Sequence, residues 1–355
     1  MSRETDAMTS TSFAEANARY EASLRAAFGS AFVEADLVEK HDKMRRDAFL
    51  FLRATCFRWA GNAAALCPDL AHARCVPSVG DAHAGNFGLW RDTFGRLVWG
   101  VNDYDEAAML PWPFDLVRLA VSLVLAGDGH HAGKVADQIL DGYAKALLEP
   151  GPFVLARDHL WLRDAFAATD RERKDFWQKR EEAEPTGCDP ASFEAPLLNA
   201  LGPVVDIRIA RRSAGAGSLG RPRFVALGNV RGGPVAAEIK AMLPSVWMAG
   251  RIDGLAERAA HGAYRSPDPR LHYADRYVVR RLAPDNSKLD FEKIDAARRG
   301  KLFSAMGAEL ASIHVAEGGA LAVKTELAAM KSGWLRHAAK RVAAWTHEEW
   351  KEYAR

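Results

Sequence analysis

Apolar residues recur at helical spacing through residues 13–66, a stretch rich in Ala, Leu, Arg and Glu with no internal proline, and this pattern predicts helices that stop at Pro68. The pattern then changes. Cys75 to Val79 reads as a short strand running into the loop GDAHAGNFG, and Arg96 to Val101 as a second strand running into NDYDEA, so the two polar loops are expected side by side. Pro111 and Pro113 mark a turn, after which helical spacing resumes over Phe114–Ala126 and Ala132–Leu148. Residues 168–195 are dense in charge and carry Pro185, Gly187 and Pro190, a composition that predicts a solvated linker or mobile loop. Next, VVDIRIARR, RFVALGNV, PVAAEIKAML and DRYVVRRL place β-formers between glycine-rich turns, the signature of an antiparallel sheet. From Phe291 the helical period returns, with Leu302, Met306, Leu310 and Ile313 on one stripe and Trp334, Val342 and Trp345 beyond it.

These elements predict an α+β protein in two lobes. The expected divisions are a flexible N-terminus over 1–20, a helical lobe carrying both polar loops over 21–199, a β-rich lobe over 200–290, and C-terminal helices over 291–355 that return to the helical lobe. A chain of 355 residues, 48% hydrophobic and 26% charged, is long and apolar enough to enclose a site between such lobes. The 48 basic residues nearly balance the 46 acidic ones, so no basic field points to nucleic acid. Cys56, Cys67, Cys75 and Cys188 form no CxxC pair, which fits thiols in a reducing compartment. The opening residues lack the apolar core of a secretory signal, and the apolar run Leu116–Ala126 is broken by Arg118 and too short for a bilayer of about 30 Å. A cytoplasmic protein with no membrane span is expected.

Chemistry concentrates in two loops. In GDAHAGNFG, Gly80, Gly85 and Gly88 permit tight backbone geometry while Asp81, His83 and Asn86 supply an acid, an imidazole and an amide. NDYDE adds Asp103 and Asp105, and carboxylate and amide oxygens are the ligands Mg²⁺ takes when it also holds phosphates. A third signal is RSAGAGSLGRPRFVAL, where Gly215, Gly217, Ser218 and Gly220 lie between two strands. A dinucleotide-binding loop opens a helix, whereas Phe224–Leu227 continues as strand, so a hairpin laid over phosphates is the better reading. Lys240 follows in EIKA, where a strand lysine would meet those phosphates, and either Glu257 or Glu238 is a candidate to hold it.

GDxHxxN followed by VNDYDE resembles the catalytic and metal loops of aminoglycoside phosphotransferases and other kinase-like enzymes. The resemblance implies ATP and Mg²⁺ as cofactors. It further implies that Asp81 orients or deprotonates an acceptor hydroxyl, His83 supports the loop, and Asn86, Asp103 and Asp105 hold the metal. Asp115, in PFDL, would brace the first loop. Here the hairpin and Lys240 follow the acid loops instead of preceding them, and MGAELASIHVAEG resembles the helix that ordinarily runs just before GDxHxxN, so a protein-kinase-like fold in circularly permuted order is implied.

The chain also resembles the bacterial domain of unknown function 2252 family. The matching blocks are AFLFLRAT around Arg53, GDAHAGNFG, NDYDEA with PFDLVRLAVSL, GAGSLGRPRFVAL, EIKA, and YVVRRL followed by Lys288. This resemblance makes Arg53, Arg280 and Lys288 candidate anion contacts. The expected activity is phosphoryl transfer from ATP to a hydroxyl on a small molecule or protein. Two alternatives stand beside it. One is a nucleotide-binding regulator without catalysis, since Val79 stands where a histidine would precede Gly80. The other is a metallophosphoesterase using GDxH together with GDGHH at Gly127–His131.

Overall fold

The computed structural model describes residues 11–127, 131–215, 217–251, 253–286 and 294–355. Helix α1 (Phe13–Phe28) opens with a reciprocal cap, in which the Ser12 hydroxyl accepts from the Glu15 N–H and the Glu15 carboxylate accepts from the Ser12 N–H. This helix begins inside the segment expected to be flexible, because the cap satisfies its first donors. Helices α2 (Glu34–Arg46), α3 (Ala48–Ala54) and α4 (Cys56–Leu66) follow, and the last of them closes just before Pro68.

Strand β1 (Cys75–Ser78) pairs antiparallel with β4 (Ala108–Pro111), while β2 (Phe87–Arg91) and β3 (Leu97–Val101) form the hairpin between them. The two polar loops leave β1 and β3 and lie next to each other: the Asn102 N–H donates to the Asn86 carbonyl at 3.1 Å. Helix α5 (Pro113–Ala126) is buried along most of its length and carries Arg118 into the core, and α6 (Ala132–Ala146) packs against it. Short β5 (Phe153–Val154) adds to β3, and α7 (Leu160–Phe166) follows.

Residues 170–181 differ from the sequence expectation of a linker or loop. They form helix α8 (Asp170–Glu181), whose Thr169–Glu172 capping box supplies the start signal that the charge density masks. Helix α9 (Glu194–Leu201) then packs on a five-stranded antiparallel sheet ordered β6–β7–β8–β10–β9. Its strands are β6 (Val205–Arg211), β7 (Arg223–Val230), β8 (Gly233–Ala241), β9 (His272–Tyr273) and β10 (Tyr277–Leu282), with α10 (Leu255–Ala260) between β8 and β9.

Because successive side chains alternate across a strand, each face of this sheet has its own chemistry. Phe224, Ala226, Ala237, Ile239, Ala241 and Val279 pack with Leu197 and Leu201 of α9. The register sets Arg223 opposite Lys240, and Arg280 opposite Glu238, on the other face. An apolar face thus anchors the sheet while the charged face looks into the cleft.

Helices α11 (Ala296–His314), α12 (Ala320–Ala329) and α13 (Trp334–Ala354) complete the chain. Helix α11 lies close against α6, and an added Cβ at Gly142 would stand 1.8 Å from the Ser304 carbonyl oxygen. The approach carries His314 into the core beneath the first polar loop. Among the described residues no helix is long and apolar enough to cross a membrane.

Candidate functional site

The GDAHAGN loop is held from below by a buried carboxylate. Asp115 accepts hydrogen bonds from the Val79 and Gly80 N–H groups at 2.7 and 3.0 Å, and lies 3.2 Å from His314 Nε2, whose Nδ1 meets the Tyr143 hydroxyl at 2.8 Å. Gly80 has φ +75, and a Cβ there would stand 1.8 Å from the Glu106 carbonyl oxygen, so the two acid loops pack with no room for a side chain. The Ser122 hydroxyl accepts from the Ala84 N–H at 2.9 Å. Asp81 is thereby presented to the cleft, where Arg118 Nε donates to it at 2.6 Å and His83 Nε2 lies 3.7 Å away. Burial raises the Asp81 carboxyl above its ordinary pKa, with Arg118 opposing.

Asn86 links the loops. Its Nδ2 donates to the Asp103 carbonyl at 2.9 Å and to the Asp81 carbonyl at 3.4 Å, which leaves the buried Oδ1 without a protein partner. Across the cleft the Lys240 ammonium lies 3.1 Å from both Asp103 oxygens and 2.6 Å from an Asp105 oxygen. Buried Oδ1 of Asp105 also lacks a hydrogen-bond partner among the described residues. Burial works against ionising Asp103, but Lys240 and then Asp105 and Arg280 outweigh it and hold that carboxyl far below the usual carboxylate range. Burial and then the Asp103 charge push Asp105 up to about 6. Burial lifts Glu106 to about 7, with Arg221 offsetting part of the rise.

Two orphaned oxygens beside Asp103 form an oxygen-rich donor set suited to Mg²⁺. Among the described residues no group of three or more His, Cys, Asp or Glu side chains is arranged to hold a metal unaided, so any ion here would complete its shell with phosphate oxygens or water.

The glycine turn joins β6 to β7 and continues as strand, unlike a dinucleotide loop. Gly215, Gly217 and Ser218 line the cleft together with Asp81, His83, Asn86, Asp103, Asp105, Arg53 and Arg280. Gly220 does not line it. A Cβ there would stand 2.7 Å from the Phe32 ring, and its N–H donates to Asp36, so this glycine fits the turn onto the N-terminal helices. Glu257 is also placed elsewhere: it accepts from the Tyr273 N–H at 2.7 Å and lies 3.1 Å from His272 Nδ1, because α10 packs beside β9. Glu238 shares the Lys240 face of β8 but is taken by arginines, accepting from Arg280 at 2.8 Å and Arg223 at 3.2 Å and pairing with Arg212. Both expected partners of Lys240 are thus replaced by Asp103 and Asp105. Lys288 lies outside the described residues, as do 128–130 of the GDGHH segment.

Arg118, buried behind Asp81, and Arg221, Arg223, Tyr20 and Cys56, which line the cleft, belong to none of the expected motifs. Arg118 was visible as a lone charge in an apolar helix, a pattern that calls for a buried counter-ion. Arg221 and Arg223 alternate in GRPRF, and Arg221 donates to Asp105 at 3.3 Å and to the Tyr20 hydroxyl at 3.1 Å. Tyr20 and Cys56 reach the cleft from α1 and α4. A neighbouring, more apolar compartment of about 300 Å³ is lined by Leu89, Trp90, Val101, Leu271 and Leu282 with Arg212, Arg265, Asp268 and Arg281 at its edges, and shares Asn102, Gly215 and Arg280 with the charged cleft.

Fold and site together define an α+β protein whose antiparallel sheet lays a glycine turn and a buried lysine over two acid-bearing loops. Its sequence matches the model of the family described as uncharacterized protein conserved in bacteria (DUF2252) over residues 33–152 and 204–355, and the chain belongs to that family. No curated protein and no solved structure matches it.

Proposed function

We propose that the chain is an ATP- and Mg²⁺-dependent phosphotransferase of kinase-like type, acting on a hydroxyl acceptor in the cytoplasm. One observation carries the reading: Lys240, from the sheet, reaches within 3.1 Å of Asp103, from the helical half, beside the orphaned Asn86 oxygen. The apolar compartment would take the base and the charged cleft the phosphates, which pass from one to the other at Asn102, Gly215 and Arg280. Asn86, Asp103 and Asp105 would hold Mg²⁺, which neutralises charge on the phosphates when bound. Lys240, now paired with Asp103 and Asp105, would meet the phosphate oxygens. Asp81, oriented by Arg118, would take the acceptor hydroxyl proton as the new O–P bond forms and the P–O bond to ADP breaks.

Circular permutation is part of the proposal, with a lobe boundary near residue 200. In its support, α11 follows the sheet in sequence yet brings His314 to the Asp115 carboxylate that seats the first loop. The test is turnover: purified chain with Mg²⁺, ATP and a panel of small hydroxyl acceptors is expected to release ADP with at least one of them, and Asp81→Asn to lower that rate by about a hundredfold or more at unchanged ATP affinity. ADP release that is equal in the two proteins would refute it.

A second reading, nucleotide binding without transfer, draws on the pairing of Asp81 with Arg118 and of Asp103 with Lys240, which occupies both acids. Tight ATP binding with no ADP release across a broad acceptor screen would select it.

A further inference from the structure

Among the described residues, the cations that line or border the cleft are held in ion pairs, with Arg53 as the exception. Lys240 is bound by Asp103 and Asp105, Arg118 by Asp81, Arg221 by Asp105, and Arg223 and Arg280 by Glu238. Arg53 makes no ion pair with a described residue. Its Nε is buried without a hydrogen-bond partner among the described residues, and its guanidinium carbon lies 5.5 Å from the centre of the Phe49 ring. A buried donor left this way is costly unless something outside the protein accepts from it.

The position of Arg53 is fixed by the two loops that matter. A Cβ at Gly85 would stand 3.0 Å from its guanidinium carbon, and one at Gly217 would stand 2.9 Å from its carbonyl oxygen. The side chain therefore packs on the Asp81 loop, while the backbone of Arg53, at the end of α3, meets the glycine turn. It lines the charged cleft but not the apolar compartment, which opens at Asn102, Gly215 and Arg280. A nucleotide with its base in that compartment would present its reacting end to Asp81, whose charge acts on Arg53, which puts Arg53 on the acceptor side.

We propose that Arg53 holds the anionic group of a small acceptor, so the hydroxyl compound phosphorylated here also carries a phosphate or carboxylate. The proposal rests on the phosphotransferase reading. A guanidinium fork binds either oxyanion in two parallel hydrogen bonds, and such charge-assisted pairs are the strong ones. Tyr20 and Cys56 line the same cleft, whose volume of about 70 Å³ suits a compact molecule better than a protein chain.

The experiment titrates inorganic phosphate, and separately acetate, into the full chain saturated with Mg²⁺ and the non-hydrolysable analogue AMP-PNP, by calorimetry. One of the two is expected to bind with the nucleotide in place, and the tighter of them identifies the group. Arg53→Ala should weaken it by about tenfold or more and leave AMP-PNP affinity within about twofold, and Arg53→Lys should fall between, since lysine keeps the charge but loses the fork. Retained AMP-PNP binding shows that each variant is folded. Phosphate that AMP-PNP displaces would move Arg53 to the terminal phosphate of the nucleotide and overturn the proposal, as would undiminished phosphate binding in Arg53→Ala. A wild type that binds phosphate through Arg53 but never AMP-PNP would instead sink the nucleotide reading beneath it.

Discussion

Replacing Lys240 by methionine keeps the stem of the side chain and removes the ammonium that two carboxylates share. Lys240 is 3% exposed, Asp105 11% and Asp103 40%, so the loss strands one buried and one half-exposed acid. Breaking a buried pair costs about 3–5 kcal/mol, and the lower end applies because Arg221 stays 3.3 Å from Asp105 and Asp103 opens to solvent. The cost depends on pH. Asp105 titrates near 6 in the folded protein even with Lys240 beside it, and the substitution raises it further. An acid whose folded pKa stands above its unfolded value of about 3.9 favours folding at low pH, and that contribution is lost as pH rises through the folded value. Urea unfolding should therefore show a loss of about 3 kcal/mol at pH 8 and clearly less at pH 5. Adding Asp105→Asn should recover more than half of the loss at pH 8. Equal losses at both pH values, or no recovery in the double variant, would refute the electrostatic reasoning.

Glu106→Gln removes a buried carboxyl that titrates near 7 against an ordinary 4.5; its ionisation erodes stability between those values, so the variant should gain on wild type by about 3 kcal/mol as pH rises from 4.5 to 8. Denaturant midpoints across that range check it. Asp115→Ala leaves the Val79 and Gly80 N–H groups without their acceptor, at about 1–3 kcal/mol each, and should lower both stability and turnover. The melting temperature and ADP release report the two effects. Gly80→Ala meets a positive φ and the Glu106 carbonyl at once, and a loss of about 3 kcal/mol or more is expected in urea.

Much of this architecture is legible in the sequence, because the signals are local. Proline and glycine punctuation marks the two loops, and alternation marks β7, β8 and β10. Helix α8 was hidden, since its solvated surface carries little apolar period and its start lies in a Thr169–Glu172 cap. Within the site, spacing brought out Asp81, Asn86 and Asp103 as two matched loops, but partner choice across the cleft depends on register. Glu257 is nearer to Lys240 in the chain than Asp103 is, yet Lys240 stands opposite Arg223 and Val278 at the end of the sheet that overhangs the NDYDE loop. No one-dimensional pattern ranks an acid from the following helix below one from a loop over a hundred residues earlier. Arg212 and Arg223 carry no such signal for the same reason, as only the cross-strand register brings them onto Glu238 together with Arg280.

Calorimetric titration of AMP-PNP into the purified chain, with and without Mg²⁺, tests most directly whether the sheet and the acid loops form one nucleotide site. Wild type is expected to bind with a clear Mg²⁺ dependence, and Asp103→Ala and Lys240→Met each to weaken binding by about tenfold or more. Binding indifferent to Mg²⁺ and to both substitutions, or no binding at all, would contradict it.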